Sequence, residues 1–156
     1  LDSHKLRDFG LSQTSIYLGF AQGDKIAADK EITVSAVLLP DFEMLSQEEL
    51  EDAPHITLSK DSLDLGAFNG KKKKRGEIEI TNTGLSLLDI RSLQMSTTGL
   101  QLSLSKTKIE PGESAKLKVT ANAEAFKTIR KTPRILMITN DPNNAKVEIK
   151  VKATLR

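Results

Sequence analysis

Apolar and polar residues alternate along most of this chain with a period of two, the spacing that turns one side of a β-strand to a core and the other to water. Glu77-Ile78-Glu79-Ile80-Thr81 alternates in this way, as do Leu100, Leu102 and Leu104. Ala115, Leu117, Val119 and Ala121 follow, interleaved with Lys116, Lys118 and Thr120. Leu88 and Ile90 share one parity, Leu93 and Met95 the other. This predicts a β-bulge near Arg91 and Ser92, where one extra residue resets the faces. Residues 135–138 are apolar throughout, as a central strand requires. Ile56-Thr57-Leu58 opens the series, and Leu63-Asp64-Leu65-Gly66 is expected to continue the same sheet edge. From His55 onward the pattern predicts strand after strand, about seven in all.

Turn chemistry separates these runs. Glu110-Pro111-Gly112-Glu113 has the type II order, with proline presetting φ and glycine accepting a positive φ. Asn82-Thr83-Gly84 and Asp141-Pro142-Asn143-Asn144 are the other turns. Short alternating strands joined in this way predict an all-β protein, an immunoglobulin-like β-sandwich.

A long-period repeat extends the picture. Residues 31–38 and 148–155 both read E-I-x-V-x-A-x-L, 117 positions apart (148 − 31), and Phe9 and Phe126 share that offset. An apolar stretch precedes each octet, residues 16–20 in one case and 135–138 in the other. Each pair predicts the closing hairpin of a sandwich, and a period this long points to two copies of one domain rather than to a solenoid. The expected organisation is then a C-terminal hairpin of a truncated immunoglobulin-like domain over residues 1–42, a short connector over 43–54 and a complete domain over 55–156. Roughly 60 residues of the first sandwich are expected upstream of Leu1 if it has the usual size. The chain opens on Leu1 rather than Met, as a mature or trimmed product would.

Within the connector, Ser46 and Glu49 have capping-box spacing and Leu45 and Leu50 that of a hydrophobic staple, which predicts a short helix. Pro40 and Pro54 bracket it, making a stiffer link than a Gly/Ser tether.

Asp64-Leu65-Gly66, Ile80-Thr81-Asn82-Thr83-Gly84, Ile109-Glu110-Pro111-Gly112-Glu113 and Thr139-Asn140-Asp141-Pro142 resemble the bacterial domain-of-unknown-function 1573 family, immunoglobulin-like domains related to sperm-protein-like sandwiches. The segment from Leu38 to Phe42, with Leu45-Ser46 and Ala53-Pro54, is similar to that family's link between tandem copies. The resemblance implies a protein held in the periplasm or at the cell surface. Members often carry Cys-Gly-Cys where this chain has Met95-Ser96-Thr97-Thr98-Gly99, so thiol chemistry of relatives does not carry over.

Composition narrows function mainly by exclusion. Cysteine is absent, which excludes disulfides, thiol catalysis and Cys-ligated zinc. The net charge of +2 lacks the basic excess of a duplex binder, and no nucleic-acid partner is expected. No apolar run is long enough for a transmembrane helix. Lys71, Lys72, Lys73, Lys74 and Arg75 form the one charge run, a weak candidate for a surface patch. No second basic cluster supports it, and a solvated hairpin leading into a strand that starts near Glu77 explains it more simply. His4 and His55 are too few for a zinc site and read as surface residues. Glu48-Glu49 and Glu51-Asp52 fit a helix start favoured by its dipole. Tyr17, on the strand face opposite Ile16 and Leu18, is expected to pack half-buried.

No phosphate loop, nucleophile elbow or catalytic triad order is present. The expectation is no enzyme, no cofactor and no metal, but a non-catalytic interaction or structural module of an exported bacterial protein. Its partner is expected to be protein, by sheet-edge pairing. A cell-surface glycan-binding protein is the alternative, resting on Tyr17, Phe20, Phe42, Phe68 and Phe126 as the candidate rings.

Overall fold

The structure, a computed structural model, describes residues 8–19, 21–24 and 27–155 of the 156. A hairpin comes first, β1 (Gly10–Tyr17) antiparallel to β2 (Glu31–Leu38). The helix α1 (Gln47–Glu51) follows. A two-layer sandwich is then built from β3 (Ile56–Leu58), β4 (Ser62–Ala67), β5 (Lys73–Asn82), β6 (Leu88–Met95), β7 (Leu100–Leu104), β8 (Lys108–Ile109), β9 (Ser114–Asn122), the helix α2 (Ala123–Thr128), β10 (Arg134–Thr139) and β11 (Lys146–Thr154). One layer has the strand order β4-β11-β10-β6-β8, the other β3-β5-β9-β7. The core lies between them. Ile78, Ile80, Leu117 and Val119 from one layer meet Leu88, Ile135, Met137, Ile149 and Val151 from the other, all fully buried.

The predicted inward faces of β5 and β9 are the buried ones, because alternation fixes which side of a pleat a residue takes. The bulge falls where the parity breaks: Ile138 pairs with Ser92 but Thr139 with Ile90, leaving Arg91 as the extra residue. In the turn after β8, Gly112 has φ +78° and Glu113 N–H donates to Glu110 O at 3.0 Å, the type II geometry.

Several expectations need correction. Nine strand segments make the sandwich, because β8 has only two residues and the opening strand is split between layers. Leu63–Gly66 does not continue the edge begun by Ile56–Leu58. β3 pairs antiparallel with β5, while β4 crosses to the other layer and pairs parallel with β11. The break at Ser59–Asp61 allows the crossing, and both halves still turn their apolar side chains inward.

The region is also not all strand. After β9, Asn122 accepts Glu124 N–H through Oδ1 at 3.0 Å and caps α2 over a run of helix-forming residues. The first strand of the hairpin is Gly10–Tyr17 rather than residues 16–20, and Phe20 lies outside the described residues. Tyr17 is exposed rather than half-buried.

Candidate functional site

The buried polar side chains collect where the connector enters the sandwich. Ser46 Oγ accepts Glu49 N–H while Glu49 Oε2 accepts Ser46 N–H at 2.8 Å, the full capping box. That backbone N–H, and then the Ser46 side chain, hold the Glu49 carboxyl below its ordinary range. The staple is less complete, since Leu50 stays exposed. Pro40 and Pro54 are both buried, so the connector leans on the sandwich at each end.

Two turn segments then grip it. Asn82, fully buried, donates from Nδ2 to Ser86 O and Ile109 O, each at 2.8 Å. Its Oδ1 accepts Gly84 N–H at 3.0 Å and His55 N–H at 3.3 Å. Gly84 passes so close to the connector that a Cβ there would overlap His55 N and Ala53 O. Glycine is required by proximity. Asp141, also fully buried, accepts Ile56 N–H, Asn143 N–H and Asn144 Nδ2–H at 2.8–3.0 Å. Asn140 Nδ2 donates to Leu87 O at 3.0 Å and its Oδ1 accepts Asp89 N–H at 2.7 Å, tying β10 to the start of β6. A buried polar group left unpaired costs about 1–3 kcal/mol, so these side chains fix the joint geometrically.

The hairpin meets the same layer from outside. Leu11 N–H donates to Gln94 Oε1 at 2.7 Å, and the Arg91 guanidinium stands 5.1 Å from the centre of the Phe9 ring. Ile138 is fully buried although it lies outside the core cluster. Leu11 and Val37, on one face of the hairpin, line a crevice with Met95 and Leu136. The other face carries Ile16 and Ile32, paired across the strands and 53% and 47% exposed. Ile135 and Ile149 are paired in the same way and are 0% exposed. The two octets thus share their Ile–Ile pairing and differ in burial. Phe9 and Phe126 are not equivalent: Phe126 lies on α2 with its ring 5.7 Å from that of Phe68.

His55 is half-exposed, and its Nδ1 sits 3.2 Å from Asp141 Oδ2. An Asp–His contact is the orienting half of a catalytic triad. Among the described residues nothing hydrogen-bonds to the other ring nitrogen. His4 lies outside the described residues. No group of three or more metal-ligating side chains, and no helix long and apolar enough to cross a membrane, occurs among the described residues.

The lysine run is not confined to a hairpin, since β5 begins at Lys73 and pairs Lys73 with Asn122 and Arg75 with Thr120. Lys74 points inward and is half-buried, while Lys71, Lys72, Lys73 and Arg75 are exposed. From the sequence, Asn82 and Asp141 are turn formers and no more, and Asn140 only precedes a turn. Their polarity amid apolar strands was the available signal, but their convergence is a tertiary fact.

A family model described as a HYDIN/CFA65/VesB-like, Ig-like domain matches residues 54–154. No curated protein matches the chain. A protein of unknown function from Porphyromonas gingivalis W83 has a similar structure, with a TM-score of 0.75 and 27% identity, over 94% of this chain and 66% of that one. The Vibrio cholerae VesB protease matches at a TM-score of 0.45 and 15% identity, over 62% of this chain and 31% of its own. The secreted serine protease VesC of the same organism matches at 0.41 and 12%, over 68% and 24%. This chain spans just under two thirds of the first protein and less than a third of each protease.

Proposed function

Because the chain belongs, through residues 54–154, to the HYDIN/CFA65/VesB-like, Ig-like domain family, we propose that it is a non-catalytic interaction or structural module of an exported bacterial protein. One observation carries this reading. The buried polar side chains at the connector end, Asn82 and Asp141, are engaged in holding chain to chain. The module's task is to hold its neighbour at a fixed angle. A bacterial setting is supported by the Porphyromonas gingivalis structure. Export to the periplasm or cell surface, and kinship with the domain-of-unknown-function 1573 family, rest on the turn motifs inside the matched span.

The neighbour is read as a second sandwich of the same kind, with β1 and β2 its closing hairpin. Support comes from the shared Ile–Ile pairing of the two octets and from the uncovered apolar face of the first. About a third of the Porphyromonas gingivalis protein lies outside the match, room for further strands.

Spin labels on the outer positions Gln13 and Lys150 test the reading. A single narrow distance distribution that broadens in Asn82→Ala is expected. A broad distribution in the unaltered protein would sink the fixed-joint reading. So would turnover of a peptide or glycoside that His55→Ala abolishes without unfolding.

A glycan-binding role is the second reading, favoured by a cleft between connector and sandwich that Phe42 lines together with Asp41, Arg91 and Asn140. A ring flanked by hydrogen-bonding groups suits a sugar. A glycan array without signal disposes of it. Signal lost in Phe42→Ala would establish it.

A further inference from the structure

The charges of this protein are segregated rather than in excess. At the end of the sandwich away from the connector, Phe68 N–H donates to Thr154 O at 2.8 Å and Ala123 N–H to Lys72 O at 3.0 Å. The Phe68 and Phe126 rings meet edge to face. These contacts bring the loop before β5, the helix α2 and the end of β11 to one surface. Lys71 and Lys72 arrive from the first, with Lys73 next to them at the start of β5, Arg130 and Lys131 from the segment after α2, and Lys152 from the last. Arg130, Lys131 and Lys152 line one open trough with Thr132 and Thr154, where Asp64 is the sole carboxylate. All six cations are exposed. Among the described residues none of them forms an ion pair, whereas Lys106, Lys116, Lys127, Arg134 and Lys146 each do. The lysine run therefore has the second basic cluster that its sequence neighbourhood lacks.

At the opposite end the connector carries Asp41, Glu43, Glu48, Glu49, Glu51 and Asp52, all exposed, with no basic residue among positions 41–52. The formal net charge of the whole chain is only +2. A surface that captures an external polyanion draws affinity from counterion release and usually belongs to a strongly basic domain. Here the basic surface is matched by an acidic one of similar size on the same chain. Complementary potentials of this kind steer association and fix its orientation.

We propose that the basic end formed by residues 71–73, 130–131 and 152 is a docking surface for the acidic connector of a second copy, arranged head to tail. The contact joins two different surfaces and so does not close on itself as a two-fold dimer would. Rows of such modules result. Each exposed pair contributes little, so affinity comes from several acting together and is screened by salt.

Analytical ultracentrifugation of the full chain over a concentration series tests this. At about 0.02 M salt the weight-average mass is expected to rise with concentration, and at about 0.5 M to stay at the monomer value. The triple variant Arg130→Glu, Lys131→Glu, Lys152→Glu should weaken association about ten-fold or more. The triple variant Glu48→Lys, Glu51→Lys, Asp52→Lys should do the same. Mixing the two should restore association, since each retains one native surface that fits the other. Circular dichroism establishes that both remain folded. A monomer at every concentration in low salt overturns the proposal, as does association that survives either reversal. A chain that stays monomeric yet binds sulfated polysaccharide or anionic vesicles through Arg130 and Lys131 also overturns it, assigning the surface to an external polyanion.

Discussion

The carboxylate of Asp141 accepts the backbone N–H of Ile56 at 2.9 Å across 85 positions of sequence. One bond joins the turn between the last two strands to the point where the connector becomes the first strand of the sandwich. Because Asp141 has no contact with water, its acceptor oxygens are satisfied only by the groups the fold brings to it.

Asp141→Ala should lower unfolding stability by about 2–4 kcal/mol, since the amides of Ile56, Asn143 and Asn144 lose their acceptor together. Asp141→Asn should recover part of this, because one oxygen remains. Urea denaturation of both variants reads the difference. Equal stability of Asp141→Ala and the unaltered protein would remove the joint from the account.

Gly84→Ala tests close approach rather than bonding. The added Cβ collides with connector backbone, which must move, at a cost of about 1–3 kcal/mol. Hydrogen exchange should show faster opening at Thr83 and Leu85, whose N–H groups donate to His55 O and Ala53 O, while β9 keeps its protection.

Ile32 and Ile149 occupy the same place in two octets and should differ in consequence. Ile149→Ala opens a cavity in the core and should cost about 2–5 kcal/mol. Ile32→Ala in this same chain should change stability by less than about 0.5 kcal/mol, because its side chain is half in water. Comparable losses at both positions would mean that something covers the hairpin.

Acid should weaken α1 at its N-terminal cap. The carboxyl of Glu49 is held below its ordinary value of 4.5, chiefly by the Ser46 backbone N–H. A folded value below the unfolded one means that the capping contribution is complete above about 4.5 and is lost as the pH falls through the lower, folded value. An NMR titration of the Glu49 carboxyl should show the depression, and Ser46→Ala should relieve it. An unshifted Glu49 in the unaltered protein contradicts the capping-box account.

Much of the architecture is local in origin and could be read from residue order. Alternation at Ile78 and Ile80 or at Leu117 and Val119 settles which side of a strand is buried, because the pleat leaves no other choice. The break between Ile90 and Leu93 marks the bulge, Glu110 to Glu113 the type II turn, and Ser46 with Glu49 the helix start. Each depends on a handful of neighbouring residues. What tertiary structure alone decided depends on residues far apart in sequence. The crossing of β4 to the other layer follows from which sheet offers it a partner, and its partners in β11 lie 87 or 88 positions on (154 − 67 and 150 − 62). The joint needs Asn82, Asp141 and Ile56 in one place, and the basic end needs Lys72 beside α2. Hydrogen bonds and fields act over a few ångströms, and only a folded chain says which residues are that close.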